Sequence, residues 1–163
     1  MRHIIAILLQ NEAGALTRVA GLFSTRGYNI ESLSVAPTQD PTVSRITLVT
    51  KGSDQVIHQI ASQLLKLVDV VSVDDMTSGA HLERELLLIK FDVPPGRRAA
   101  IDALIARDGA RVIADQGTSV IVELTSSEAA VTRLVLDLAN VAEIREVVRS
   151  GALGIGQGGA ANA

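Results

Sequence analysis

"LLQNEAGALTRVAGLF", residues 8–23, decides how this chain folds. An apolar run from Ile4 to Leu9 stops at Gln10-Asn11-Glu12-Ala13-Gly14, and a helical pattern begins at once. The run is too short and too β-branched for a helix, so residues 3–9 read as a buried strand. Across residues 15–26, Leu16, Val19, Ala20 and Phe23 fall at i, i+3, i+4 and i+7, one face of a helix, and Gly27 stops it. The turn between the two elements holds a carboxamide, a glycine and almost no bulk. Asn and Gly make turns for conformational reasons alone. The same residues can also leave backbone N–H groups open to a small anion, and the spacing alone does not separate the two readings.

Working outward, residues 29–36 alternate (Ile30, Leu33, Val35), residues 37–41 carry turn chemistry, and residues 43–50 alternate again, giving a hairpin. Residues 54–67 read as a second helix and residues 69–73 as a short strand. The order βαββαβ in about 75 residues is the split βαβ, or ferredoxin-like, sandwich: one antiparallel sheet with two helices on one face. The order then recurs: strand 85–93, helix 97–107, strands 111–115 and 120–125, a helix to about residue 138 capped by Ser126, and strand 144–149. The fold class expected is α+β, two tandem ferredoxin-like units, over residues 1–78 and 79–150. The Gly/Ala-rich segment 151–163 has no periodicity and reads as a frayed tail.

Composition bounds the function. The 163 residues are 47% hydrophobic but only 2% aromatic, so the cores are built from Val, Ile, Leu and Ala. Net charge is −3, with 15 basic residues scattered along the chain, which argues against a nucleic-acid partner, as does the scarcity of stacking rings. With no cysteine there are no disulfides, zinc ribbons or thiol catalysis. Arg2 and His3 before an apolar stretch, with Ala13-Gly14-Ala15 after it, mimic a signal peptide, but six apolar residues fall short of the roughly 7–15 required. No stretch approaches the roughly 20 apolar residues of a membrane span. A cytoplasmic protein without membrane contact is expected.

Catalytic patterns are weak. His3, His58 and His81 have no metal-ligand spacing, and His81-Leu82-Glu83 mimics H-x-E without the cysteines that motif requires. Asp74-Asp75 reads as a solvated strand end. Gly154 to Gly159 satisfies G-x-G-x-x-G, but the chain ends four residues later, with no helix or acidic residue to follow.

Two features remain. Residues 4–9 and 86–89 are apolar at both parities, whereas a sheet with helices on one face and water on the other should alternate. Something should cover the second face: the other unit, a second copy or a different protein. The other feature is the opening turn. A helix N-terminus can hold a carboxylate, and Gly14 lets a ligand approach the backbone. Asn11 offers an acceptor for an ammonium and a donor for a carboxylate, the two groups of a free amino acid. The second strand lies at a sheet edge in this fold, so Asn29 of one copy could face the first turn of another.

The stretch "NEAGALTRVAGLFSTRGYNIESLSVAPTQDP", with "KLVDV" at 66–70, "GAHLERELLLIK" at 79–90 and "VVRSGALG" at 147–154, resembles the regulatory small subunit of acetolactate synthase (acetohydroxyacid synthase). Every fixed position of the family run from Asn11 to Leu33 stands in this chain. The resemblance implies an N-terminal ACT domain that binds amino acids at a homodimer interface, and a C-terminal domain of similar topology. It implies no catalysis by this chain and no cofactor in it. Thiamine diphosphate, Mg and FAD would belong to a catalytic large subunit, which this chain would activate and make sensitive to feedback inhibition by valine or another branched-chain amino acid. Effector contacts would fall on Asn11, Gly14, Ala15 and Leu16, with Asn29 and Ile30 from the partner chain. The second unit departs from familiar relatives across residues 94–107. The rival reading, a stand-alone ACT-type sensor or transcriptional regulator, finds no helix-turn-helix segment or basic surface.

Overall fold

The computed structural model describes residues 1–157. Two compact units divide the described residues: Met1–Leu82 with 152–157, and Glu83–Gly151. Each is an α+β sandwich of the ferredoxin-like kind.

In the first unit, strands β1 (Arg2–Gln10), β2 (Ile30–Pro37), β3 (Val43–Lys51) and β4 (Val70–Asp75) form one antiparallel sheet in the order β2-β3-β1-β4. Helices α1 (Ala15–Thr25) and α2 (Asp54–Leu64) join them. Alternate β1 side chains, Ile5, Ile7 and Leu9, face the helices together with Ile46 and Leu48 of β3, and meet Val19, Phe23, Ile57 and Ile60 in a dry core. The core face of α1 is rotated slightly from the sequence expectation. Ala15, Val19, Leu22 and Phe23 are buried, while Leu16 is 37% exposed. Helix α2 ends at Leu64 rather than at residue 67. Leu67 still packs on the core, but from the loop, and that contact extends the apolar period past the helix.

The second unit repeats the plan. Strands β5 (His81–Asp92), β6 (Arg111–Asp115), β7 (Ser119–Ser126) and β8 (Glu143–Arg149) run in the order β6-β7-β5-β8. Helices α3 (Arg98–Asp108) and α4 (Glu128–Ala139) lie over Leu87, Ile89 and Phe91. The cap of α4 is Ser127, one residue later than expected; its hydroxyl accepts from Ala130 N–H and Glu128 takes the first turn.

The doubly apolar β1 has an explanation that the sequence did not offer. Its outer side chains Ile4 and Ala6 form a second cluster with Val49, Met76 and Ala152. Residues 152–157 therefore return to the first unit, where they include strand β9 (Leu153–Gly156) and where Gln157 N–H donates to Ala80 C=O at 2.8 Å. Arg45 Nη2 donates to Gly154 C=O at 3.0 Å. A Cβ on Gly154 would stand 2.6 Å from Met76 Cε and 2.9 Å from Ile4 Cδ1. The expected tail is thus corrected from residue 152 to 157: it is a cover strip for the first sheet. Gly158 and Gly159 of the G-x-G-x-x-G match, with the rest of the expected tail, lie outside the described residues.

Candidate functional site

The β1–α1 turn brings Asn11, Gly14, Ala15 and Leu16 together. Asn11 is anchored twice to the β2–β3 hairpin: its N–H donates to Thr42 C=O at 2.7 Å and its Nδ2 to Pro41 C=O at 3.0 Å. The hairpin is itself braced, with Thr42 N–H and hydroxyl both donating to Asp40, which holds that carboxyl below the usual range. One amide donor of Asn11 is therefore spent on structure, and its Oδ1 is left as an acceptor.

Gly14 is the N-cap of α1 with φ +89°, a conformation natural to glycine, and no side chain caps the helix. Ala15 N–H donates to Glu12 C=O at 3.2 Å, and the N–H groups of Leu16 and Thr17 stand at the positive end of the helix dipole. Ala15 is buried and Leu16 projects outward. The turn is open rather than enclosed within one chain.

One element of this site was not singled out in the sequence. Arg18, one turn into α1, reaches back over Gly14, so that a Cβ there would stand 3.0 Å from its Nη1. Its Nε and Nη2 grip both oxygens of Asp69, whose side chain is only 6% exposed. The hydrogen bond to Arg18 holds the Asp69 carboxyl below the usual carboxylate range, against the opposing effect of burial. Asp69 C=O also accepts from Gln10 N–H at 2.8 Å, fixing the end of β1. Both residues stand inside motifs quoted above, but their 51-residue separation hid the pairing.

Asn29 and Ile30 do not join this cluster within one chain. Ile30 pairs with Thr50 at one end of β3, while Gln10 pairs with Val43 at the other. About seven residue steps of roughly 3.3 Å separate the two ends, on the order of 23 Å. Asn29 is exposed; its carbonyl accepts from Thr50 Oγ1 at 2.7 Å. Strand β2 is at the edge of its sheet, and among the described residues no strand pairs with the backbone groups along its outer side.

Elsewhere, His3 is buried between Asp54 and Asp75, at 3.6 and 3.7 Å. Among the described residues no three acidic, histidine or cysteine side chains come together to hold a metal, and no helix is long and apolar enough to cross a membrane.

Comparison with known proteins agrees with this architecture. Residues 5–72 match the AHAS small subunit-like ACT domain, and residues 84–158 match the small subunit of acetolactate synthase. The chain belongs to the acetolactate synthase small-subunit family. The acetolactate synthase isozyme 3 small subunit of Salmonella typhimurium is 45% identical over 97% of both chains, and that of Escherichia coli 44% over the same shares. The crystal structure of the acetolactate synthase small subunit from Thermotoga maritima superimposes with a TM-score of 0.88 at 29% identity, covering 98% of this chain and 99% of that one. As a small subunit with an ACT domain, the chain is a regulatory component whose partner is the catalytic large subunit.

Proposed function

We propose that this chain activates the thiamine-diphosphate-dependent catalytic subunit of acetolactate synthase and confers on it feedback inhibition by valine. The site would be completed by two copies of the chain and would work in the cytoplasm. The observation that carries this reading is the separation of Asn11 from Asn29. The two lie at opposite ends of one sheet, yet Asn29 opens an edge strand whose outer side pairs with no other strand among the described residues. If β2 of one copy lies antiparallel beside β2 of another, the start of each strand comes to the end of the other, next to the partner's first turn. Asn29 then closes a pocket whose floor is Gly14 and the N-terminus of α1. In that pocket Asn11 Oδ1 suits an ammonium and the helix N–H groups suit a carboxylate, with Leu16 and Ile30 beside a branched side chain. A regulatory signal requires two global states that bind the effector differently, and a site shared between chains couples occupancy to the interface.

Reconstitution with the catalytic subunit tests the proposal. Adding this chain should raise acetolactate formation, and titrating valine should lower it again. Catalysis unchanged by the chain would refute the activating role. A complex that is activated but indifferent to valine, leucine and isoleucine would refute the effector role.

A further inference from the structure

The ion pair behind Gly14 is placed oddly for a purely structural contact. Arg18 uses Nε and Nη2 side-on to hold a nearly buried carboxylate, and the third nitrogen, Nη1, points to the uncapped end of α1. An arginine fork gripped in this way has lost most of its rotamer freedom, so little further ordering is needed to bind a second anion. Asp69 in turn cannot drift, because its backbone carbonyl is tied to Gln10 at the end of β1. We propose that Arg18 Nη1 is a ligand for the effector's carboxylate, that Asp69 is the residue that positions it, and that this pair gives the site its preference for an α-carboxylate. The inference rests on the effector reading above and deepens it.

The chemistry is consistent on each side. Asp69 neutralises part of the guanidinium charge, which keeps Arg18 from collecting solvent anions at random, while its geometry leaves one N–H pair directed at the ligand. The carboxylate would then take backbone N–H groups from the first turn of α1 and one N–H from Arg18. The ammonium would fall toward Asn11 Oδ1. Arg18 therefore reads one end of the ligand only, and this makes the role separable from a structural one.

Titration calorimetry on the intact chain alone, with L-valine, L-leucine and L-isoleucine each compared with its carboxamide, which keeps the ammonium but not the carboxylate, measures that role. Wild type should prefer the acid over the amide. Arg18→Gln should weaken the acid roughly ten- to hundredfold, the loss expected of a charge-assisted hydrogen bond, and leave the amide nearly unchanged. Asp69→Asn should shift the same ratio in the same direction by releasing the fork. If Arg18→Gln does not fold as wild type does, Arg18→Lys, which keeps the charge but not the fork, supplies the ratio and should lower it. An acid-to-amide ratio within twofold of wild type in the folded variant would overturn the inference, as would an equal loss for both ligands. If wild type binds none of the three acids, the effector reading itself falls and takes this inference with it. If it binds one and the ratio does not move, only the inference falls.

Discussion

Gly14→Asp probes backbone, charge and ligand at once. At φ +89° any side chain is strained, and such a residue costs about 1–3 kcal/mol. The new Cβ would stand 3.0 Å from Arg18 Nη1, so the aspartate carboxylate falls where it can pair with that nitrogen, on the spot assigned to the effector. Pairing recovers part of the strain, and a net loss of about 1–2 kcal/mol lowers the melting temperature by roughly 2–8 °C for a chain of this size. Gly14→Ala carries the same strain without the charge and without a second carboxylate for Arg18 beside Asp69. It should therefore be the less stable of the two, while keeping more of the valine response. The assays are thermal unfolding of the chain alone and valine titration of the reconstituted enzyme, where the Asp variant should still activate but no longer respond. Full valine sensitivity in Gly14→Asp would refute the placement of the site. Equal loss of response in both variants would show that strain, not charge, blocks the ligand.

Gly21 is a useful contrast, since it lies inside α1 and an added methyl group would meet nothing within 4 Å. Gly21→Ala should stabilise the chain by about 0.5–1 kcal/mol, read as a higher melting temperature. Residues 1–78 hold a full βαββαβ unit but lack the strip 152–157, so this fragment exposes Ile4, Ala6, Val49 and Met76. It should bind an apolar dye and melt below the full chain, and supplying residues 152–157 through a flexible linker should reverse both effects. Asp40, Asp69, Asp108 and Asp115 all titrate below their ordinary value of 3.8 because of hydrogen bonds that favour the charged form. Their contribution is complete above that value and is lost as pH falls below it through the folded-state values, so melting temperature should drop steeply below about pH 4. Replacing Asp69 and Asp108 together by Asn should flatten that drop.

Much of the fold is written in local pattern. The helical spacing of Val19 and Phe23 and Gly27 in a left-handed turn after α1 each specify their own element. In β2, Ile30 and Leu33 pack on the core across a register shift while Val35 is exposed, so strict alternation does not hold there. Local pattern misleads where an apolar residue serves a contact made from a loop, as Leu67 does, or where two serines compete for one cap. The strip Leu153–Gly156 is illegible for a different reason. It is four residues long and half glycine, and its partners Ile4 and Met76 lie far back in the chain, so no window of sequence contains both sides of the contact. That contact also answers half of the puzzle of the doubly apolar strands without a second molecule. For the site, Asn11 and Gly14 can be read because turn chemistry is local. Arg18 has no assignable role until the fold sets Asp69 beneath it.

The central claim, that two chains share each effector site, is tested most directly by mixing variants. Valine at a hundredfold excess over its Kd adds about 2.7 kcal/mol for one site, a rise in melting temperature of roughly 5–10 °C at about 2–4 °C per kcal/mol. Asn11→Ala and Asn29→Ala should each remove most of this rise when prepared alone. In a heterodimer of the two, one site loses both residues and the other keeps both. After subunit exchange about half of the molecules should therefore carry one intact site, and part of the valine-dependent rise should return. If exchange is demonstrated by mass and the rise stays absent, Asn11 and Asn29 do not meet across the interface.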